Sequence, residues 1–154
     1  MLRNAELLPK IGAMLADPFR NERVTTVLAP EARGPILGAL TAVELGAGLV
    51  LARKDGHNHP GADIPVESAP TWRGEREVFQ GRSFDLSTSD RVVIVDDWIT
   101  TGNTMRAATN IIRLLGATYV GAAVLVNKAD PETIEELQVH SLVDFDVLMQ
   151  RRAD

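Results

Sequence analysis

Apolar positions along the chain fall into alternating stretches of two periods. Leu8, Ile11, Met14 and Leu15 recur at helical spacing until Asp17-Pro18, where proline disfavours a helical residue before it. Val24 to Ala29 is a short β-branched run ending at Pro30, and Gly34-Pro35 then opens a second helical pattern through Ile36, Leu37, Leu40, Val43 and Leu45. Gly48 to Arg53 reads as a buried strand, since Leu49, Val50 and Leu51 are continuously apolar. Arg91 to Val95 (RVVIV) is the strongest strand signal and stops at Asp96-Asp97. Met105, Ala108, Ile111, Ile112 and Leu115 share one helical face, with Gly116 as its C-terminal cap. Tyr119 to Val126 predicts another buried strand, Asp130-Pro131 a capped helix start, and Ser141 to Val147 a last strand.

Between the fourth and fifth of these elements the periodicity lapses. Lys54 to Gly74 is a 21-residue stretch with glycines at 56, 61 and 74 and prolines at 60, 65 and 70, which predicts an irregular functional lid. Glu75 to Phe79 and Ser83 to Leu86 read as two short strands joined across Gln80-Gly81-Arg82. The order α, β, α, β, lid, β, α, β, α, β implies an α/β fold, with a mostly parallel sheet flanked by helices. Ligands then bind beyond the carboxyl ends of the strands. The 154 residues suit one domain, 1–154, with its flexible catalytic loop at about 54–74.

Composition narrows the function classes. A formal charge of −5 has the wrong sign for capturing nucleic acid by phosphate neutralisation, and aromatic residues are only 5% and scattered. The apolar stretch from Ala39 to Ala52 is interrupted by Thr41, Glu44 and two glycines, well short of the ~20 residues a membrane span requires. The absence of cysteine excludes disulfide and thiolate-zinc scaffolds, and Met1 to Lys10 shows no secretory signal; a cytoplasmic protein is expected.

The chemistry concentrates in Val92 to Thr104, VVIVDDWITTGNT. Taken singly, an aspartate ending a strand and a threonine capping a helix are ordinary boundary residues. Together they place two carboxylates a few residues ahead of a hydroxyl-rich, glycine-containing helix start. Unpaired amides of the first helical turn, with Thr101, Gly102 and Thr104, suit a phosphate monoester. Asp96 and Asp97 suit vicinal hydroxyls or a hydrated Mg2+. A phosphorylated sugar fits both halves, and neither a GxGxxG nor a Walker loop is present.

VVIVDDWITTGNT resembles the phosphoribosyl pyrophosphate (PRPP) signature of the type I phosphoribosyltransferases, with Trp98 the bulkiest departure. Ala29-Pro30-Glu31-Ala32-Arg33-Gly34 resembles the pyrophosphate loop of the adenine enzymes in that family. Arg53-Lys54 resembles the pair that opens its catalytic loop, and His140-Ser141-Leu142-Val143 its closing strand. The resemblance covers roughly Leu15 to Val147. It implies PRPP-binding roles for Ala32, Arg33, Gly34, Arg53, Lys54, Asp96, Asp97, Thr100, Thr101, Gly102, Asn103 and Thr104. Within that set, Asp96 and Asp97 would hold the ribose hydroxyls and their Mg2+, Thr100 to Thr104 the 5'-phosphate, and Ala32, Arg33 and Lys54 the departing pyrophosphate. Asp96, Asp97, Lys54 and Arg33 form the expected catalytic group. The resemblance further implies a homodimer and, from where the chain begins, a reduced hood over the base.

Thr100 stands where the hypoxanthine and guanine enzymes place an aspartate, so adenine or another purine is the expected acceptor, with an orotate-like acceptor as alternative. A PRPP-sensing module without turnover is the alternative of a different class. Glu67 and Glu75 are candidates for an acid near the base, and Trp72-Arg73 for a pair that clamps the substrate or pins the lid. His57 and His59 read as solvated loop histidines, and Met105 and Phe145 as core.

Overall fold

The computed structural model describes residues 3–70, 74 and 76–150. The elements are α1 (Leu7–Ala16), β1 (Thr26–Pro30), α2 (Gly34–Leu45), β2 (Gly48–Lys54), β3 (Ile64–Glu67), β4 (Val78–Gly81), β5 (Arg91–Ile99), α3 (Asn103–Leu114), β6 (Thr118–Asn127), α4 (Pro131–Glu136), β7 (Val139–Asp144) and α5 (Phe145–Gln150). Seven strands make one sheet in the order β3-β4-β2-β1-β5-β6-β7. The five from β2 to β7 run parallel, and β3 and β4 join antiparallel at one edge.

Both faces of the central strands are apolar because both are covered. Ile11, Leu15 and Phe19 with Leu37 of α2 pack over Val27, Val93, Val95 and Leu125. On the other face Met105, Ala108, Ile111 and Ile112 of α3 pack over Leu28, Ile94 and Val124. Alternate residues of β1 and β5 thus feed opposite cores, and the carboxyl ends of both strands emerge at one rim.

Three elements differ from expectation. The outer strand pair is β3 with β4, with Val66 opposite Phe79, while Arg82 to Leu86 is a turn closed by the Asp85 amide on the Arg82 carbonyl (3.0 Å). A strand therefore lies inside the stretch expected to be irregular. Pro65 hid it, and an edge strand tolerates proline because one row of its backbone groups needs no partner. β5 continues past the two aspartates to Ile99, since Asp96 stays in register with Val124 and Trp98 with Val126. The last strand ends at Asp144, where β6 has run out of partners at Asn127, and Phe145 and Val147 fall in α5. Met105 is core, whereas Phe145 is partly exposed against Trp98, ring centroids 5.6 Å apart. Among the described residues, no helix is long and apolar enough to cross a membrane.

Candidate active site

Asp96, in the carboxyl half of β5, points inward. It is 7% exposed, so of the two aspartates read from the sequence as a pair it is the buried one. Among the described residues its carboxylate accepts one hydrogen bond, from the Asp97 amide at 2.8 Å. Burial pushes the Asp96 carboxyl up to about 7; the Asp97 amide opposes the rise, the neighbouring Asp97 charge adds to it and Arg33 opposes it. Asp97 instead reaches the rim, where its Oδ2 meets Arg33 Nε at 2.5 Å.

The loop that delivers Arg33 is built against the end of β5. Pro30 ends β1 opposite Ala52, the Glu31 amide donates to the Ala52 carbonyl (3.0 Å), and the Glu31–Ala32 peptide is cis. Gly34 then starts α2, and a Cβ there would sit 3.1 Å from the Val95 carbonyl and 3.2 Å from Asp96 Oδ1. The missing side chain lets a helix N-terminus approach the buried carboxylate. Arg33 itself is 65% exposed at its side chain and, among the described residues, is held only through Asp97.

Arg53 and Lys54, adjacent at the end of β2, are separated by the pleat. Arg53 donates to Glu31 Oε1 (2.6 Å) and to the Asn58 carbonyl (2.8 Å). Lys54 Nζ pairs with Glu77 Oε1 at 2.5 Å, so the ammonium expected beside Arg33 is engaged elsewhere. Glu31, unassigned by sequence reasoning although it lies inside the quoted loop, is the hub. It also takes the Lys54 amide (3.2 Å) and His57 Nδ1 (2.7 Å). Burial would raise the Glu31 carboxyl, but the bonds from His57, Arg53 and Lys54 outweigh it and hold the group below its usual range. Its only sequence signal was an acid beside the arginine of a post-strand loop. His57 is therefore tied to the loop rather than free in solvent. Glu67 pairs with Arg76 at 3.7 Å, and Trp72, Arg73 and Glu75 lie outside the described residues.

The third side of the site is the turn from β5 into α3. Gly102 holds φ +75, and a Cβ there would lie 2.7 Å from Thr133 Cγ2, so conformation and space both require glycine. Thr101 Oγ1 faces the Asn103 amide (3.5 Å), and Asn103 Nδ2 donates to the carbonyls of Ala69 (3.3 Å) and Pro70 (3.2 Å). Arg106, not foreseen, donates from Nη1 to the Thr101 carbonyl (2.7 Å) and pairs with Glu136. A cleft of about 320 Å3 lined by Arg106, Asn110, Arg113 and Tyr119 includes neither aspartate.

Ala32, Arg33, Gly34, Asp96 and Asp97 are thus brought together, the Thr100–Thr104 turn follows directly from β5, and Lys54 stands apart on Glu77. A parallel α/β sheet that presents paired carboxylates and an open helix-start turn at one rim is the frame of a sugar-phosphate transferase. Residues 1–145 match the phosphoribosyl transferase domain, and the chain belongs to that enzyme family. It is 38% identical over 137 residues to the adenine phosphoribosyltransferase of Pectobacterium atrosepticum, covering 86% of this chain and 72% of the relative. The crystal structure of adenine phosphoribosyltransferase from Thermoanaerobacter pseudethanolicus superposes with a TM-score of 0.85 at 27% identity, covering 94% of this chain and 84% of that one. The adenine phosphoribosyl transferase from Trypanosoma brucei, solved with AMP, pyrophosphate and ribose-5-phosphate, gives 0.78 at 27% identity over 96% and 68%.

Proposed function

We propose that this protein transfers the 5-phosphoribosyl group of PRPP to adenine and releases pyrophosphate. The observation that carries the reading is the buried Asp96 carboxylate with a single internal hydrogen bond, next to an open helix-start turn. Its remaining acceptor capacity suits the ribose hydroxyls, and the turn's amides and the hydroxyls of Thr101 and Thr104 suit the 5'-phosphate. The curated relatives named above support adenine as acceptor.

In the reaction the bond between C1 of the ribose and the pyrophosphate oxygen breaks, and pyrophosphate leaves with the electron pair. A ring nitrogen of adenine bonds to C1 and gives its proton to solvent. Positive charge grows on the sugar and negative charge on the leaving group, so cations aimed at the latter lower the barrier. Arg33 exchanges Asp97 for the pyrophosphate, and Lys54 exchanges Glu77, both cations being exposed enough to let go of their partners. Asp96 and Asp97 fit a Mg2+ that arrives with PRPP. Among the described residues no group of three or more His, Asp or Glu side chains forms a metal cage, and Mg2+ ordinarily takes one or two carboxylates with substrate oxygens and water. Bound there, the ion would supply charge neutralisation to the pyrophosphate.

The segment 54–74 closes over PRPP to exclude water from the cationic sugar. Limited proteolysis between Lys54 and Gly74 is expected to slow when Mg2+ and PRPP are added; equal cutting removes the closing step. A homodimer is proposed through the outer face of α2, where Ile36 and Val43 are exposed on a helix whose one charged residue is Glu44. The cysteine-free sequence accords with the cytoplasmic setting proposed for it.

Pyrophosphate release from PRPP and Mg2+ is measured with adenine, hypoxanthine, guanine, xanthine, orotate and uracil in parallel. Adenine is expected to exceed the 6-oxopurines by roughly 10⁴-fold, the discrimination a site achieves when the wrong base leaves buried polar groups unpaired. If orotate or hypoxanthine wins, the transferase stands and the adenine assignment falls. If PRPP binds by calorimetry and no base is turned over, a sensing module replaces it.

A further inference from the structure

Arg106 occupies a position that helix electrostatics disfavours. It lies in the second half of the first turn of α3, where the unpaired amides make a positive end, and that turn contains no acidic residue. Its charge is answered from outside the helix. Nε donates to both carboxylate oxygens of Glu136 (3.1 and 3.2 Å) and Nη2 to Glu136 Oε2 (2.5 Å), with the Thr133 hydroxyl a further partner at 3.4 Å. Thr133 is fixed in turn by Asp130, which accepts its amide (2.8 Å) and its hydroxyl (2.9 Å). The guanidinium is thereby clamped to α4, with Nη1 left to grip the Thr101 carbonyl at 2.7 Å.

That grip sets the direction of a peptide. The Thr101–Gly102 bond is trans, so its carbonyl and N–H point opposite ways. A carbonyl drawn onto Arg106 and α4 turns the Gly102 N–H away from them, and among the described residues that N–H meets no protein acceptor. A free rotation at Gly102 would cost little sterically in the backbone, because glycine visits both signs of φ. The restraint therefore comes from Arg106 on one side and from the Thr133 and Leu137 side chains packed within 3.0 Å of the Gly102 Cβ position.

We infer that Arg106 is a positioning residue for sugar-phosphate binding: by holding the Thr101 carbonyl against α4 it aims the Gly102 amide at the 5'-phosphate. The inference rests on the reading of Thr100–Thr104 as the phosphate turn. Arg106 touches no substrate in this role. Its positive charge is neutralised by Glu136, and its contribution is the orientation of a backbone donor that would otherwise have to be ordered when the ligand binds.

The test compares inhibition by ribose 5-phosphate with inhibition by pyrophosphate in wild type, Arg106→Ala, Arg106→Lys and Thr104→Ala. In Arg106→Ala the inhibition constant for ribose 5-phosphate and the KM for PRPP are expected to rise about tenfold, the loss of one well-aimed hydrogen bond. Inhibition by pyrophosphate and the KM for adenine stay within about twofold, a split that general loosening of the fold does not produce. Arg106→Lys, whose single ammonium cannot hold Glu136 and Thr101 in the guanidinium geometry, falls between the two and serves if the alanine variant does not fold. Equal weakening of ribose 5-phosphate and pyrophosphate, with a lowered Tm, overturns the positioning role in favour of a structural one. If Thr104→Ala weakens ribose 5-phosphate and Arg106→Ala does not, the inference fails while the phosphate turn stands. If neither does, the phosphate reading fails and takes the inference with it.

Discussion

Two aspartates of the β5 segment, Asp90 just before the strand and Asp96 within its carboxyl half, are in opposite states. Asp90, just before the strand, takes the hydroxyls of Thr25 (2.8 Å) and Thr26 (3.3 Å) on one oxygen and the amide and hydroxyl of Ser87 (both 2.8 Å) on the other. Burial works to raise its carboxyl, but these bonds outweigh it and hold the group below the usual carboxylate range. Asp96, six residues on, is more deeply buried, accepts one amide and is pushed up to about 7. One aspartate has its acceptor capacity filled by the chain itself and ties the amino end of β5 to β1. The other has it left open in the carboxyl half of the strand, at the rim where sugar binding is proposed. Unfilled hydrogen-bonding capacity on a buried charge is costly to the apo protein and becomes favourable only when a partner arrives.

The contrast is sharpest in the asparagine variants. Asp96→Asn is expected to lower turnover by about 10²-fold or more, the scale of removing one preorganised polar contact from a transition state. The same change raises stability at pH 8 by about 1–3 kcal/mol, since the carboxamide keeps an acceptor for the Asp97 amide without the buried charge. The sign follows from linkage. A carboxyl raised from 3.8 to about 7 binds a proton in the native chain that the unfolded chain has lost. Its stabilisation is therefore full below about pH 4 and lost as pH rises through 7. Thermal unfolding from pH 5 to 8 should show that loss in the wild type and a flatter curve in Asp96→Asn; identical curves would break the comparison.

Next in size is the pH profile of activity. If the ribose hydroxyls need the ionised Asp96, kcat/KM for PRPP falls about tenfold per unit below roughly pH 7, reporting the free enzyme. A flat profile from pH 5.5 to 8 would remove Asp96 from sugar binding. Asp90→Asn should do the reverse of Asp96→Asn: a loss of about 1–2 kcal/mol in urea unfolding, with turnover within about twofold. Because the Asp90 pKa is depressed, its contribution is present above the ordinary carboxylate value and lost as pH falls through the depressed one. The smallest effect is expected for Asn103→Ala, which deletes two exposed bonds from the proposed phosphate turn to the Ala69 and Pro70 carbonyls. Faster proteolysis within 54–74 and a KM for PRPP raised about threefold would follow from a loss near ~0.6 kcal/mol.

The site was legible where neighbours in sequence make it. Asp96, Asp97 and the Thr100–Thr104 turn lie on one continuous strand-to-helix segment, so spacing alone set them side by side. Arg33 was legible because its loop follows a strand that ends at the same rim. Lys54 was legible as a cation but its direction was not, because its partner Glu77 immediately precedes β4, whose pairing with β2 no local pattern encodes. Glu31 and Arg106 were missed for the same reason. Each acts on groups distant in sequence, Glu31 on Arg53 and His57, Arg106 on Glu136. The edge strand β3 was hidden by Pro65, which periodicity penalises without knowing that the strand is an edge.

The sequence by itself determined the alternation of helices and strands, the parallel core they imply and the segment that carries the carboxylates and the turn proposed to hold the phosphate. Those features follow from periods of 3.6 and 2 and from the residues that punctuate them, all within a few positions of one another. Only the tertiary structure decided which carboxylate is buried, how many hydrogen bonds it receives and which cations it competes for. Desolvation and ion pairing depend on what other strands and loops bring to within a few ångströms, so Asp90 and Asp96, alike as letters, end in opposite protonation regimes.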